Sequence, residues 1–387
     1  MFSARTDWPT APTQLSRRLA SLRRSGAKLL DLTESNPTRC GFLYDEERIR
    51  QAVSSPEIMS YDPVPRGLRV ARDAVARYYE EIGTPTSADR IFLTSSSSEA
   101  YSWCFRLLCE PGDEILAPQP SYPLFSYLAD LADVKLTHYP LLYDNGWSID
   151  IEALANAITP RTKAVLLVSP NNPTGSVLTS SERDMLVRLS LRNDFAVIAD
   201  EVFLDYIWGE DARAETLNTR GLSLTFTISG LSKMSALPQM KLGWIVVRGP
   251  VGPDAAAAAR LEVIADTYLS ASTPAQVAAP VLIEQRKLIQ PQILDRIRQN
   301  VAYLDSKLGG DSPVSRLQAE GGWYAVLRAP ASSTDDEWAL FLLETCGVQV
   351  HPGHLFGFDG EARLVISLIP PPEVFRPAVD RIIEAVR

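Results

Sequence analysis

Five short apolar runs in the middle of the chain are each followed at once by residues that could do chemistry. After Ile91–Thr94 come Ser95, Ser96, Ser97, Ser98 and Glu99. Ser96 and Glu99 have the spacing of a capping box that opens a helix. Exposed N–H groups and hydroxyls at such a start suit a phosphate. After residues 114–117 comes a loop with prolines at 118, 120 and 123, which stiffen it and present the ring of Tyr122. After residues 164–168 comes the string NNPTG at 171–175, a tight turn carrying side-chain amides such as that of Asn172. After residues 196–199 come Asp200 and Glu201. A carboxylate at the end of an apolar strand is half-buried and needs a partner. After residues 224–228 comes a Gly/Ser loop ending in Ser232 and Lys233. A lysine desolvated there becomes a nucleophile toward carbonyls. Each signal has an ordinary reading: a helix cap, a core tyrosine, a turn, an ion pair, a solvated lysine. Together they supply a phosphate cradle, a ring, an amide, a carboxylate and an amine. A pyridine cofactor with a phosphate and an aldehyde requires that set.

The elements must bring these residues to one edge. Ligands of open α/β sheets sit at the carboxyl ends of the strands. Between residues 91 and 248 the apolar runs alternate with helical patterns such as 99–109 and 181–192. That alternation predicts an α/β fold, with a mostly parallel sheet flanked by helices. The last hundred residues read differently. A long helical pattern over 276–308 precedes short strands at 323–327 and 364–367, and a helix from Pro372 closes the chain. The division expected is a large domain over 46–284 and a smaller α+β domain built from 285–387 with the N-terminal segment 1–45. In that segment Leu15, Leu19 and Leu22 have helical spacing, with Thr13 as cap and Gly26 as stop. The segment is also Arg-rich and acid-poor, so a transit peptide is the other reading.

Composition bounds the chemistry further. The chain has 387 residues and a net charge of −9, which opposes nucleic acid or an anionic membrane as a partner. Its four cysteines form no CxxC pair, and its three histidines are too few for a histidine-rich metal site, so no metal is expected. No apolar run approaches the ~18–20 residues of a membrane span. A cytoplasmic enzyme acting on small molecules is the expectation.

The ordered set NNPTG, Asp200-Glu201, Ser232-Lys233 and, eight residues after that lysine, Lys241-Leu242-Gly243-Trp244 resembles the fold-type I, pyridoxal-phosphate-dependent aminotransferases of class I/II. The likeness runs from about Leu30 to the C-terminus. It implies that Lys233 holds pyridoxal 5'-phosphate as an aldimine and shuttles the Cα proton. Asp200 would keep the pyridine nitrogen protonated. Asn172 would bond the ring oxygen and Tyr122 would stack on the ring. Ser97, Ser98, Ser232 and Lys241 would hold the phosphate. Tyr61 would reach the phosphate in the neighbouring subunit, which implies a homodimer with shared sites. Arg363 would fork the substrate carboxylate, and Ser35 and Asn36 would lie in the loop over an amino acid or 2-oxo acid substrate.

The sequence also departs from the family. Phe203 stands where a tyrosine commonly donates to the ring oxygen, so the aldimine should titrate higher unless Tyr206 substitutes. Lys241 stands where arginine is usual, and serines at 95–98 where glycine is frequent. The stretch from Tyr61 to Gly67 is one residue longer than the family pattern. No arginine occurs at 265–268, where dicarboxylate-specific members carry one, which favours a substrate with an uncharged side chain. β-Elimination at a C–S bond and decarboxylation use the same lysine and aspartate, so those reactions stay open. A non-catalytic coenzyme-binding regulator, which joins this fold to an N-terminal DNA-binding domain, is not expected, since about thirty residues precede the first motif and the charge is acidic.

Overall fold

The computed structural model describes all residues except 210–215, 220–222, 310–311, 360–361 and 387. The strands in chain order begin with β1 (Leu30–Asp31). A group in the first two-thirds of the chain follows: β2 (Ile91–Thr94), β3 (Glu114–Gln119), β4 (Lys135–Tyr143), β5 (Trp147–Ile149), β6 (Thr162–Val168), β7 (Ala196–Asp200), β8 (Thr225–Gly230) and β9 (Gly243–Arg248). The last group is β10 (Ser315–Arg316), β11 (Tyr324–Arg328), β12 (Val348–Gln349), β13 (His351–Pro352) and β14 (Arg363–Ser367).

Strands β2 to β9 form one sheet in the order β2-β9-β8-β7-β6-β3-β4-β5. Its interior strands β9, β8, β7, β6 and β3 are buried at nearly every position, as a sheet covered on both faces demands. Their side chains alternate between two cores. Phe92, Ile198, Phe226 and Ile245 join Trp103 and Phe105 on one face. Leu93, Trp244 and Val246 join Tyr78, Tyr79 and Leu282 on the other, beside a cluster with Val165, Val197 and Leu186. Full burial of each such side chain is worth roughly 1.5–3 kcal/mol.

The pairs β3–β4, β3–β6, β6–β7 and β7–β8 are parallel, as the alternation predicts. Strand β9 runs against both neighbours, with Gly243 opposite Thr94 and Gly230. This reversal has a consequence for position. The residues that precede β9 reach the same edge as the residues that follow β2 and β8. Strands β4 and β5, at one end of the sheet, do not stand out in the sequence. β5 covers only Leu141–Tyr143 of β4, so Pro140 stands outside the stretch paired on both sides, where a missing N–H is tolerated.

A four-stranded sheet, β10-β11-β14-β13, forms the second layer. Strand β1 pairs in parallel with β12, and the Ser367 N–H donates to the Leu32 carbonyl at 2.7 Å. The N-terminal segment therefore lies against the C-terminal strands. The long helical pattern resolves into two helices, Thr273–Glu284 and Arg286–Lys307. The basic N-terminal stretch is a helix, Gln14–Arg24, capped by Thr13 as expected, with no buried residue.

Candidate active site

The turn after β2 leads into the helix Ser97–Leu108. The Ser96 hydroxyl accepts from the Glu99 N–H at 3.2 Å. The Glu99 carboxylate reaches back one residue further than a capping box requires and accepts from the Ser95 N–H at 2.7 Å. The first-turn N–H groups of Ser97 and Ser98 have no acceptor within the helix, so they suit an anion. Gly243, at the start of β9, packs on this turn. A Cβ there would lie 3.1 Å from the Ser96 carbonyl carbon and 3.0 Å from Thr94 Oγ1. Lys241, two residues earlier, has a left-handed backbone with φ 49° and an exposed side chain. The reversed strand thus brings Lys241, two residues before Gly243, to the edge where the Thr94–Ser96 turn lies.

Lys233 sits in the single turn Leu231–Met234 that follows β8, with Ser232 beside it. Its Nζ lies 4.8 Å from the ring centroid of Trp323 and 5.3 Å from that of Phe203. Burial lowers the ammonium pKa to about 8, against the opposing pull of Asp200. Asp200 ends β7, the neighbouring strand, and is 7% exposed. Its Oδ1 accepts from the Val202 N–H at 2.9 Å. The Tyr101 hydroxyl donates to Oδ2. Burial raises the carboxyl to about 6, while Tyr101, Val202 and Lys233 hold it down.

The two adjacent asparagines of NNPTG play different parts. Asn171 is fully engaged: it accepts from the Ser121 hydroxyl at 2.8 Å and donates to the Pro120 carbonyl at 3.0 Å and to Thr174 Oγ1 at 2.8 Å. Asn172 is buried, and its Oδ1 has no partner. Asn171 therefore ties this turn to the Tyr122 loop, and Asn172 is the amide left for a ligand. Tyr122 packs edge-on to Phe125 at 5.5 Å. Its hydroxyl is pushed up to about 12, first by burial and then by the Asp200 charge.

Phe203 lies in the aromatic cluster, 5.4 Å from Trp323 and 6.5 Å from Tyr324. Tyr206 does not replace the missing hydroxyl. It donates to the Lys233 carbonyl at 2.7 Å and so braces the lysine turn from below. Ser35 comes near this cluster at Tyr324, whose phenol pKa it lowers against the larger raising effect of burial. The Asn36 side chain accepts from the Thr38 N–H at 3.2 Å and from the Thr38 hydroxyl at 2.8 Å, so it caps the following turn. Arg363 opens β14, opposite Arg328, four residues before the Ser367 that pairs with Tyr324. It lines a cavity of about 420 Å³ with Gln119, Pro120, His138 and Trp147. A second cavity of about 180 Å³, lined by Tyr122 and Phe125, shares Gln119, His138 and Gly357 with the first. Tyr61 is 69% exposed and lines a surface groove with Gly67, Trp103 and Ser270.

Residues 38–382 match the family model of aminotransferase class I and II. The chain is a class I/II aminotransferase. It is 28% identical over 373 residues to the alanine aminotransferase of Mycobacterium tuberculosis, covering 94% of this chain and 86% of that one. It is 30% identical over 260 residues to the glutamate-pyruvate aminotransferase AlaA of Escherichia coli, covering 66% of this chain and 64% of that one. Among solved structures, the alanine aminotransferase of Pyrococcus furiosus superposes with a TM-score of 0.89 at 24% identity, over 100% of this chain and 99% of that one.

As a member of this family the aminotransferase uses pyridoxal phosphate and transfers amino groups between amino and keto acids. Its residues fit that cofactor. A depressed lysine, a buried carboxylate and an amide oxygen without a partner converge at one edge. Sequence reasoning missed two residues, Tyr101 and Trp323. Tyr101 carried a readable signal, since it lies one helical turn beyond Ser97 and on the same face. Trp323 carried none, because it arrives from another sheet.

Proposed function

We propose that this aminotransferase moves an amino group between an amino acid with a small uncharged side chain and a 2-oxo acid, with Lys233 as covalent anchor and proton carrier. The observation that carries the reading is Lys233 itself. Its amine is held between two aromatic rings, one strand from a buried carboxylate, with a pKa of about 8. At pH 7 about a tenth of such an amine is free base, far more than for a solvated lysine, so it would serve as a nucleophile toward a carbonyl and as a proton carrier at Cα. Bound pyridoxal phosphate supplies the electron sink for the carbanion left at Cα. Asp200 holds the proton on the ring nitrogen. Asn172 would hydrogen-bond the ring oxygen and Tyr122 would stack on the ring face. Ser97, Ser98, Ser232 and Lys241 take the phosphate, Lys241 as a point charge where an arginine would fork. Arg363, in the cavity adjoining that of Tyr122, receives the substrate carboxylate, with Ser35 and Asn36 in the loop over the substrate.

The similarity to alanine and glutamate-pyruvate aminotransferases supports alanine and pyruvate as one substrate pair. The absence of arginine at 265–268 supports the uncharged side chain. We place the enzyme in the cytoplasm; among the described residues no helix is long and apolar enough to cross a membrane. The expected division is a large domain over 46–284 and a small one from 1–45 and 285–387, closing over substrate to exclude water.

The test is a single turnover. Cofactor-loaded enzyme mixed with L-alanine and no acceptor should release one equivalent of pyruvate and stop. Continuous release of pyruvate and ammonia from a β-substituted amino acid, or of carbon dioxide, would overturn transfer in favour of elimination or decarboxylation. Lys233→Ala should lose both the visible cofactor band and the turnover.

A further inference from the structure

Phe203 carries no hydroxyl, and the structure shows a different hydroxyl, that of Tyr101, on the strand-end carboxylate. Tyr101 is 1% exposed, and its O–H donates to Asp200 Oδ2. Its ring is fixed by Phe125, edge-on at 5.2 Å, and by Phe105 at 6.2 Å. The helix that presents Ser97 and Ser98 also presents Tyr101, about 6 Å further along its axis. One rigid element therefore sets both the phosphate end and the support of the aspartate.

We propose that Tyr101 is a positioning residue that keeps Asp200 ionised, so that the proton shared with the cofactor stays on the ring nitrogen. The inference rests on the role assigned to Asp200 above. An ionised carboxylate offers about four lone-pair sites. The Val202 N–H and the Tyr101 hydroxyl occupy one on each oxygen. The remainder can face a ring N–H. A buried carboxylate with fewer donors prefers its neutral form. It would then take the proton from the ring nitrogen and weaken the electron sink. The charged and titratable groups that face Asp200 are Lys233 across the strand ends, Tyr101 and Tyr122 from their own elements, and Glu201 next in the chain. Of these, Tyr101 is the one whose side chain donates a hydrogen bond to the carboxylate. Burial and the adjacent charge hold its hydroxyl protonated at any working pH, so it is always a donor.

Tyr101→Phe removes one atom and keeps the ring contacts, so the apoprotein should unfold at nearly the wild-type temperature. Both proteins are loaded with cofactor labelled with ¹⁵N in the ring. The wild type should show the nitrogen shift of a pyridinium at pH 7. The variant should move toward the unprotonated position and bind the cofactor roughly tenfold more weakly. An unchanged nitrogen shift in the variant, whatever the affinity does, would overturn the proposal. A wild type whose ring nitrogen is already unprotonated would instead overturn the role given to Asp200, and this inference with it.

Discussion

Phe203 stands where the resemblance to the family implies a tyrosine, and it lies in an aromatic cluster with Trp323 and Tyr324. Tyr206, the nearest hydroxyl in sequence, is committed to the Lys233 carbonyl. Restoring a donor beside the ring oxygen should therefore have a measurable effect. Phe203→Tyr should lower the pH at which the visible band of the loaded enzyme titrates by about one unit, because a donor stabilises the anionic oxygen. A spectral pH titration with the same midpoint for both proteins would show that another group already serves that oxygen. Adjacency teaches the same lesson at Asn171 and Asn172. Their letters are identical. The loop gives all the hydrogen bonds to the first and leaves the second with a buried, unpartnered oxygen.

At the scale of elements, the strand ends were legible because their apolar runs are short, complete and bounded by loop residues. β2 begins and ends where the pattern places it, and β6 to β8 differ by one or two residues. The direction of β9 was not legible. An apolar strand buried on both faces reads the same in either sense, and only its pairing with β2 and β8 sets it. Glu201 shows how one strand end anchors the chain beyond it. Its carboxylate accepts from the Thr216 hydroxyl and, at 3.0 Å, from the Leu217 N–H. Burial raises it to about 7 from an unfolded value of 4.5. A folded pKa above the unfolded one gives stability that is complete below pH 4.5 and lost as pH rises through 7. The apoprotein should lose about 3 kcal/mol from this group over that window. Glu201→Gln should flatten that part of the profile in urea melts. Equal slopes for variant and wild type between pH 5 and 7 would refute the assignment.

At the scale of the whole molecule, the site exists because the two sheets meet. Gly175, the last residue of NNPTG, has φ +68°, and a Cβ there would lie 2.5 Å from the Gly321 carbonyl oxygen. The Glu320 and Gly321 N–H groups donate to the Gly175 carbonyl at 3.0 Å each. Two residues beyond this contact, the Trp323 ring lies 4.8 Å from the Lys233 amine. Tyr61 belongs to a larger scale again. Its exposure and its groove beside Ser270, a partner of Glu99, support a role toward a second copy of the chain. Sedimentation equilibrium should give the mass of two chains, and Tyr61→Phe should weaken cofactor binding about tenfold if its hydroxyl serves a partner's phosphate. A monomer with full cofactor affinity would rule out shared sites.

What the residues determined unaided is the chemistry. A lysine, an aspartate, an amide and a hydroxyl-lined helix start stand in order at the ends of apolar strands, because backbone alternation and local turns are short-range properties. What only the tertiary structure decided is company. Trp323 against Lys233, Tyr101 on Asp200 and the orphaned oxygen of Asn172 depend on contacts between segments far apart in the chain. Such contacts are set by packing: helical spacing puts Tyr101 on the face of Ser97, but only packing sets that face against Asp200.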